Sequence, residues 1–303
     1  MDGEIIRNIV EILITGVFRG GLYSLIAVGL ALIFGVMNIS NFAHGEYYML
    51  GAYFGFFAFT SLHLGPIGCI LVAGLGTFLV GYLTEKLVFL QMRKYGRGDW
   101  VMNTFLVTVG ISVVLQNLAK LLWTANYRGI PALWGGVAKI GTLTIAVDRV
   151  MALVIAVIAI AFLWFFLEKT KVGRAIRAVS QNEAGAMLLG INLKNIYALT
   201  LAVGCAMAGI AGACLLSVTP AYPTVGLVPL YKAWFVVILV GMGNVEGSIV
   251  GGLLVGLLET VSYYFLGAGW QDSVSLLVIA LILLFKPSGL FGGKAGVQTA
   301  WER

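Results

Sequence analysis

The chain is 303 residues long, 60% hydrophobic and only 11% charged, with a mean hydropathy of +0.99. A soluble domain carries about 25% charged residues, so this chain cannot cover a water-facing surface and reads as an integral membrane protein. The net charge of +6 comes without a basic stripe interleaved with aromatics, so no nucleic acid is expected as a partner; the cations are read as loop residues on the cytoplasmic side.

The apolar runs are too long for the strands of a barrel, so the spans are helices, which satisfy their own backbone in lipid. About 20 apolar residues make one span. In chain order such runs lie at 9–34, 41–62, 66–90, 101–123, 150–168, 197–218, 230–246, 248–267 and 272–286. The first is too long for the apolar part of a secretory leader and no A-x-A site closes it, so it is read as a retained span. The second and seventh are the weakest and are expected to be broken or re-entrant. The expected fold is all-α: one polytopic bundle over residues 1–303 with about 8–10 spans.

The second run is unusually polar. It begins MNISNFAHGEYYMLGAYFG, with Asn38, Ser40 and Asn41 at its start. Ser40 or Asn41 suits a helix cap. His44, Gly45, Tyr48, Ala52 and Gly55 then share one helical face. Either these groups satisfy a broken helix, or some of them (Asn38, Asn41, His44 and Tyr48) line a path through the bundle. Glu46 points away from that face and needs its own partner, a helix terminus or Lys232.

The fourth run carries Thr104, Thr108, Ser112 and Gln116 at every fourth position, with Asn117 beside the last. Such a stripe drifts by about 40° per step. It serves either interhelical hydrogen bonding or a polar conduit, to which Thr108, Ser112 and Gln116 would contribute. The external loop 124–149 that follows is rich in Gly and β-branched residues. VAKI and LTIAV flank Gly141-Thr142, which suggests a small hairpin; the loop is read as a connector or as a docking surface.

Segment 168–196 holds Lys169, Lys171, Arg174, Arg177 and Lys194. With Lys86, Arg93, Lys94 and Arg97 in one earlier loop and Lys286, Lys294 and Arg303 in the tail, it marks the inside. Arg7, Lys120, Arg128, Lys139 and Arg149 are the sparser outside set. Nine spans then put the N-terminus outside and the C-terminus inside. Within this segment Ser180-Gln181-Asn182-Glu183 reads as a capping box. It predicts a short helix over 181–189 that ends at a left-handed Gly190 and carries an apolar face of Ala184, Met187 and Leu188. That face lies either on the bilayer or in the groove of a protein partner.

Late in the chain, Lys232, Glu246 and Glu259 stand near or within spans. A buried charge without a partner is costly, so Glu259 is expected to find one on a neighbouring helix or in a second subunit. Glycine pairs four apart, Gly16/Gly20, Gly51/Gly55, Gly247/Gly251 and Gly252/Gly256, predict close helix crossings. GVMNISNFAHGEYYMLGA and VGMGNVEGSIVGGLLVG share a Met–Asn element before a small-residue run, an echo that suggests an internal two-fold repeat. Cys69, Cys205 and Cys214 all lie in apolar runs. Cys205 and Cys214 are about 13 Å apart along one helix and cannot bridge.

Enzyme signatures are missing. GLFGGKAG at 289–296 has the wrong spacing for a P-loop and follows a span. No H-E-x-x-H, no cysteine pair at zinc spacing and no G-x-S-x-G occurs. No metal site and no catalytic residue is expected.

Three blocks, GLYSLIAVGLALIFGVMNISNFAHGEYYMLGAY, KVGRAIRAVSQNEAGAMLLGIN and LVGMGNVEGSIVGGLLVGLLE, occur in this order. They resemble the LivH-type permease subunits of branched-chain amino-acid ABC importers, over about 9–290. The resemblance implies half of a translocation pathway in the bacterial inner membrane, with the C-terminus cytoplasmic. It implies a second permease of the M type, two cytoplasmic ATPases that hold ATP and Mg, and an external solute-binding protein; this chain itself would hold no cofactor. Ser180, Glu183, Ala184, Met187, Leu188 and Gly190 fall in the segment such permeases present to their ATPases. The spacing from Glu183 to Gly190 is one longer than the commonest form, and Gly185 replaces its second Ala. Most members of the family carry branched-chain amino acids; others carry urea, short amides or aromatic acids. The rival is a self-contained secondary transporter or channel, which would need an intramembrane carboxylate site built from Glu46 and Glu259.

Overall fold

The computed structural model describes residues 2–95, 99–140 and 143–292. Arg97, Lys294, Arg303 and the hairpin tip Gly141-Thr142 lie outside the described residues. Among the described residues, seven helices are long and apolar enough to cross a membrane. They are α1 (Asp2–Met37), α3 (Pro66–Thr84) with its continuation, α5 (Trp100–Trp123), α6 (Val147–Lys169), α9 (Leu193–Cys214), α11 (Val245–Leu266) and α12 (Gln271–Phe285) with the 3₁₀ turn before it. The continuation of α3 is a π-helical turn, Glu85–Phe89, and then α4 (Leu90–Tyr95).

The second and seventh runs are different. They form α2 (His44–Thr60) and α10 (Leu227–Val240), of 17 and 14 residues. These are about 25 Å and 21 Å long, short of the roughly 30 Å of a hydrocarbon core. The chain completes each passage with irregular backbone, residues 38–43 before α2 and 215–226 before α10. Irregular backbone at that depth survives only where protein covers it, and α2 is buried along most of its length.

The helices sort by burial. The apolar stretches of α1 and α9 are 83% and 78% buried and form the centre, whereas those of α5 and α12 are 17% and 11% buried and stand at the rim. α1 packs on α11 and α9, and α9 packs on α3 and α2. The glycine pairs explain how closely. Where α1 crosses α11, a Cβ on Gly256 would lie 2.4 Å from the Gly20 nitrogen, and one on Gly20 would lie 2.7 Å from the Leu253 Cα. Backbones in contact gain dispersion that larger residues would forbid. Cys69, Cys205 and Cys214 are buried, free thiols.

One end of the bundle gathers the C-termini of α1, α6 and α10 with α4, the N-terminus of α9 and two further helices, α7 (Lys171–Gln181) and α8 (Glu183–Leu188). The segment after α12 returns here, with Leu290 and Phe291 donating to the Leu239 and Val240 carbonyls. At the opposite end the loop after α5 forms the expected hairpin: β1 (Val137–Ile140) pairs antiparallel with β2 (Leu143–Ala146), Val137 opposite Ala146. Asp148 ties it down by accepting from the Leu133 and Trp134 amides at 3.3 and 2.8 Å. Arg128 and Ala221 exchange backbone hydrogen bonds of 2.9 and 2.8 Å, which straps this loop to the segment before α10.

Candidate functional site

The N-termini of α2 and α10 meet inside the bundle. His44, the first residue of α2, is fully buried, and its Nε2 lies 3.1 Å from the Ile26 carbonyl. Ile26 is about 16 Å along α1 from its end at Met37, at the helical rise, so α2 starts deep within the fold. Its second residue, Gly45, touches Gly226, the residue before α10. The two helices run from this junction toward opposite ends.

The polar start of the second run is thereby accounted for residue by residue. Asn38 is exposed with φ of +51° and ends α1, its amide bonding the Phe34 carbonyl at 2.9 Å. It caps no part of α2; asparagine tolerates the left-handed conformation that ends a helix. Asn41 is buried; its Oδ1 accepts from the Ala43 amide at 3.1 Å and its carbonyl from the His44 amide at 3.3 Å. Ser40 contributes its carbonyl, which accepts from the Thr108 hydroxyl at 3.2 Å. Tyr48 is buried, with its carbonyl against Gly212 of α9. The face shared by His44, Gly45, Tyr48 and Gly55 is therefore packed on α1, α9 and the segment before α10; it does not border an open channel in this conformation.

Glu46 lies in the first turn of α2, and its side chain pairs with α5 and not with Lys232. Its Oε1 accepts from the Ser112 hydroxyl and the Gln116 amide, each at 2.8 Å. With the Thr108 bond, the polar stripe of α5 stitches an otherwise exposed helix to α2 and to the segment before it. Thr104, Thr108 and Ser112 are buried, and Gln116 is half-buried. Beside this seam Phe42 stacks on Trp234 at 5.1 Å and meets Phe105 edge-on at 5.0 Å. Ser40, Phe42, Tyr231 and Trp234 line an open apolar cavity of about 440 Å³ between α10 and α12. Phe42 and Trp234 escaped the sequence reading because aromatics in apolar runs carry no distinctive signal.

Lys232 is buried and ion-pairs with Glu259 of α11 and with Asp272 in the first turn of α12. The other Glu259 oxygen accepts from the Tyr23 hydroxyl at 2.8 Å. The buried charges of α10 and α11 thus neutralise each other within the chain, and the partners lie on neighbouring helices. Glu246 is exposed in the first turn of α11.

At the charged end the capping assignment changes. Ser180 lies inside α7 and donates to the Arg177 carbonyl at 2.8 Å. The N-cap of α8 is Asn182, extended at φ −155°, whose Oδ1 accepts from the Gly185 amide at 2.8 Å. Either residue can cap; α7 continues through Ser180, which leaves Asn182 at the break. Glu183 is then the first residue of α8 instead of the third. The C-terminus is as expected: Gly190 has φ of +80°. Its amide bonds the Met187 carbonyl at 2.9 Å, and the Ile191 amide bonds Ala186 at 3.1 Å, the two bonds of a Schellman motif. Ala186 is the buried residue of α8. Ala184 and Met187 are exposed, with Leu188 and Leu189 90% and 81% exposed.

Residues 12–286 match the family model described as "Branched-chain amino acid transport system / permease component". The chain is 30% identical to the high-affinity branched-chain amino acid transport system permease protein BraD of Pseudomonas aeruginosa, covering 95% of this chain and 97% of that protein. It is 31% identical to LivH of Escherichia coli K12, covering 91% and 93%. A probable branched-chain amino acid transport permease protein LivH of Methanocaldococcus jannaschii shares 24% identity over 91% and 90%. With nearly the whole chain matched and a polytopic helical bundle on the page, this protein belongs to the family of permease components of branched-chain amino acid transport systems.

Proposed function

We propose that this chain forms half of the translocation pathway of an ATP-driven importer of branched-chain amino acids. The substrate is handed over by an external solute-binding protein. A second permease of the M type completes the path, and two separate ATPases hold ATP and Mg. The observation that carries the reading is α8: a helix fixed at both ends by Asn182 and Gly190 that holds Leu188 and Leu189 away from its own bundle. A surface of that kind at the charged end fits a groove on a cytoplasmic partner. The clustering of Lys169, Lys171, Arg174 and Lys194 around it supports a cytoplasmic location for this end and for the C-terminus.

The path wall is assigned to the exposed Asn38 and the half-buried Ser40, Phe42 and Gln116 at the half-helix junction, beside the more deeply packed Asn41, His44, Tyr48, Thr108 and Ser112. The pairing of helices also supports an internal repeat: α1 with α11 mirrors α9 with α3, and α1 with α10 mirrors α9 with α2. This register matches α2 to α10, whereas the sequence echo compared α2 with α11. An ion-driven carrier is disfavoured, since Glu46 is engaged by α5 and Glu259 by Lys232.

The test is reconstitution. Liposomes holding this chain with its second permease, ATPases and binding protein should accumulate labelled leucine, isoleucine or valine only with internal ATP. Uptake by this chain alone, driven by an ion gradient, would overturn the reading. Calorimetry on the binding protein with branched-chain amino acids, urea, short amides and aromatic acids tests the substrate.

A further inference from the structure

The π-helical turn in the third span joins the bundle to α8 through one side chain. Glu85, in that turn, is fully buried, and its carboxylate ion-pairs with Arg93 of α4. Eight residues separate them, which on a regular α-helix turns them about 80° apart. The wider π turn takes up about one extra residue, so the pair falls close to two whole turns apart and on one face. Such turns concentrate at functional positions.

The Arg93 guanidinium also lies 4.5 Å from the centre of the Tyr197 ring and 5.6 Å from that of Trp100. Trp100 is the first residue of α5, and Tyr197 stands in the second turn of α9. Tyr197 and Arg93 line one open cavity together with Glu183, the first residue of α8, and Met187 of the same helix. One planar cation thus meets a buried carboxylate on one side and aromatic faces from two other helices. Tyr197 is the one that borders α8. Guanidinium suits this place because it stacks and forks at once, which an ammonium cannot do.

We propose that Arg93 is a positioning residue for ATP-driven transport: with Glu85 and Tyr197 it fixes the angle of α8 and carries its displacement into α3, α5 and α9. This rests on the reading of α8 as the ATPase-facing helix. Arg93 touches neither substrate nor nucleotide; it acts through Tyr197 and Glu183.

The test uses the complete reconstituted transporter and reads substrate imported per ATP hydrolysed, with thermal stability measured in parallel. Tyr197→Phe keeps the ring under Arg93 and removes only the hydroxyl on the cavity shared with Glu183. Arg93→Lys keeps the charge and removes the stacking plane. Each is expected to lower the transport-to-hydrolysis ratio about tenfold while the ATPases stay bound. Glu85→Gln with Arg93→Gln removes both buried charges together; it should recover the thermal stability lost in Arg93→Gln alone without recovering coupling. Unchanged coupling in Tyr197→Phe and Arg93→Lys overturns the proposal, as does a double variant that regains coupling along with stability. Leu188→Glu separates the two levels. If it uncouples while the Arg93 and Tyr197 variants do not, only the role of Arg93 falls; if Leu188→Glu also leaves coupling intact, the reading of α8 falls with it.

Discussion

Gly45 and Gly226 meet backbone to backbone where the two half-length helices begin. A Cβ on Gly226 would lie 1.9 Å from the Gly45 carbonyl oxygen, and one on Gly45 would lie 2.3 Å from the Gly226 oxygen. Neither neighbour is a flexible side-chain tip that could yield. The junction exists because both positions lack a side chain, and it sets where α2 and α10 start.

Gly226→Ala is therefore expected to force the helix starts apart. Overpacking of this kind costs about 1–3 kcal/mol. Lowered thermal stability of the purified protein, with reduced uptake by the full complex, checks it. Gly65→Ala, at a position with nothing within 4 Å of a new Cβ, should leave both unchanged.

Glu46 makes a second test. Ser112→Ala removes one of two donors to its buried Oε1, and interhelical bonds in membranes average about 0.6 kcal/mol. Glu46→Ala leaves the buried Ser112 hydroxyl without its acceptor and Gln116 with only the Ser112 oxygen at 3.3 Å, and should cost about 1–3 kcal/mol. The double variant should cost less than the sum of the two, which a thermal-unfolding cycle reads directly.

Lys232 tests the buried charges. Lys232→Met leaves Glu259 buried without its cation, a loss of about 3–5 kcal/mol, and lowers the yield of folded protein. Adding Glu259→Gln to the same chain should restore much of that yield. Asp272 is 68% exposed, so Asp272→Asn should change stability by less than about 1 kcal/mol.

The two candidate caps of α8 separate cleanly. Asn182→Ala should weaken the short helix by about 1 kcal/mol, while Ser180→Ala should change it little, since Ser180 lies within α7. Gly190→Ala places a side chain at φ of +80° and should cost about 1–2 kcal/mol. Hydrogen exchange at Gly185, Ile191 and their neighbours reads both effects; ATPase binding by the assembled complex reads the consequence.

Much of the candidate site was legible from local chemistry. The weakness of the second and seventh runs anticipated the two short helices, because a helix that starts inside a bundle needs polar residues that a simple span does not. The left-handed Gly190 followed from its place after a helix-forming stretch. What local chemistry could not separate was equivalent donors: Ser180 and Asn182 both cap well, and the choice depended on how far α7 continues. The Glu85–Arg93 pair was hidden for a related reason, since its spacing makes sense only once the π turn is known.

The sequence by itself determined the class, the membrane-crossing runs and the family, since hydropathy, charge placement and motif order act within single segments and need no knowledge of what lies opposite. The tertiary structure alone decided that Glu46 belongs to Ser112 and Gln116, that Lys232 belongs to Glu259 and Asp272, and that Gly45 meets Gly226. Each of these joins residues from separate helices, and which helix faces which is set by the packing of the whole bundle.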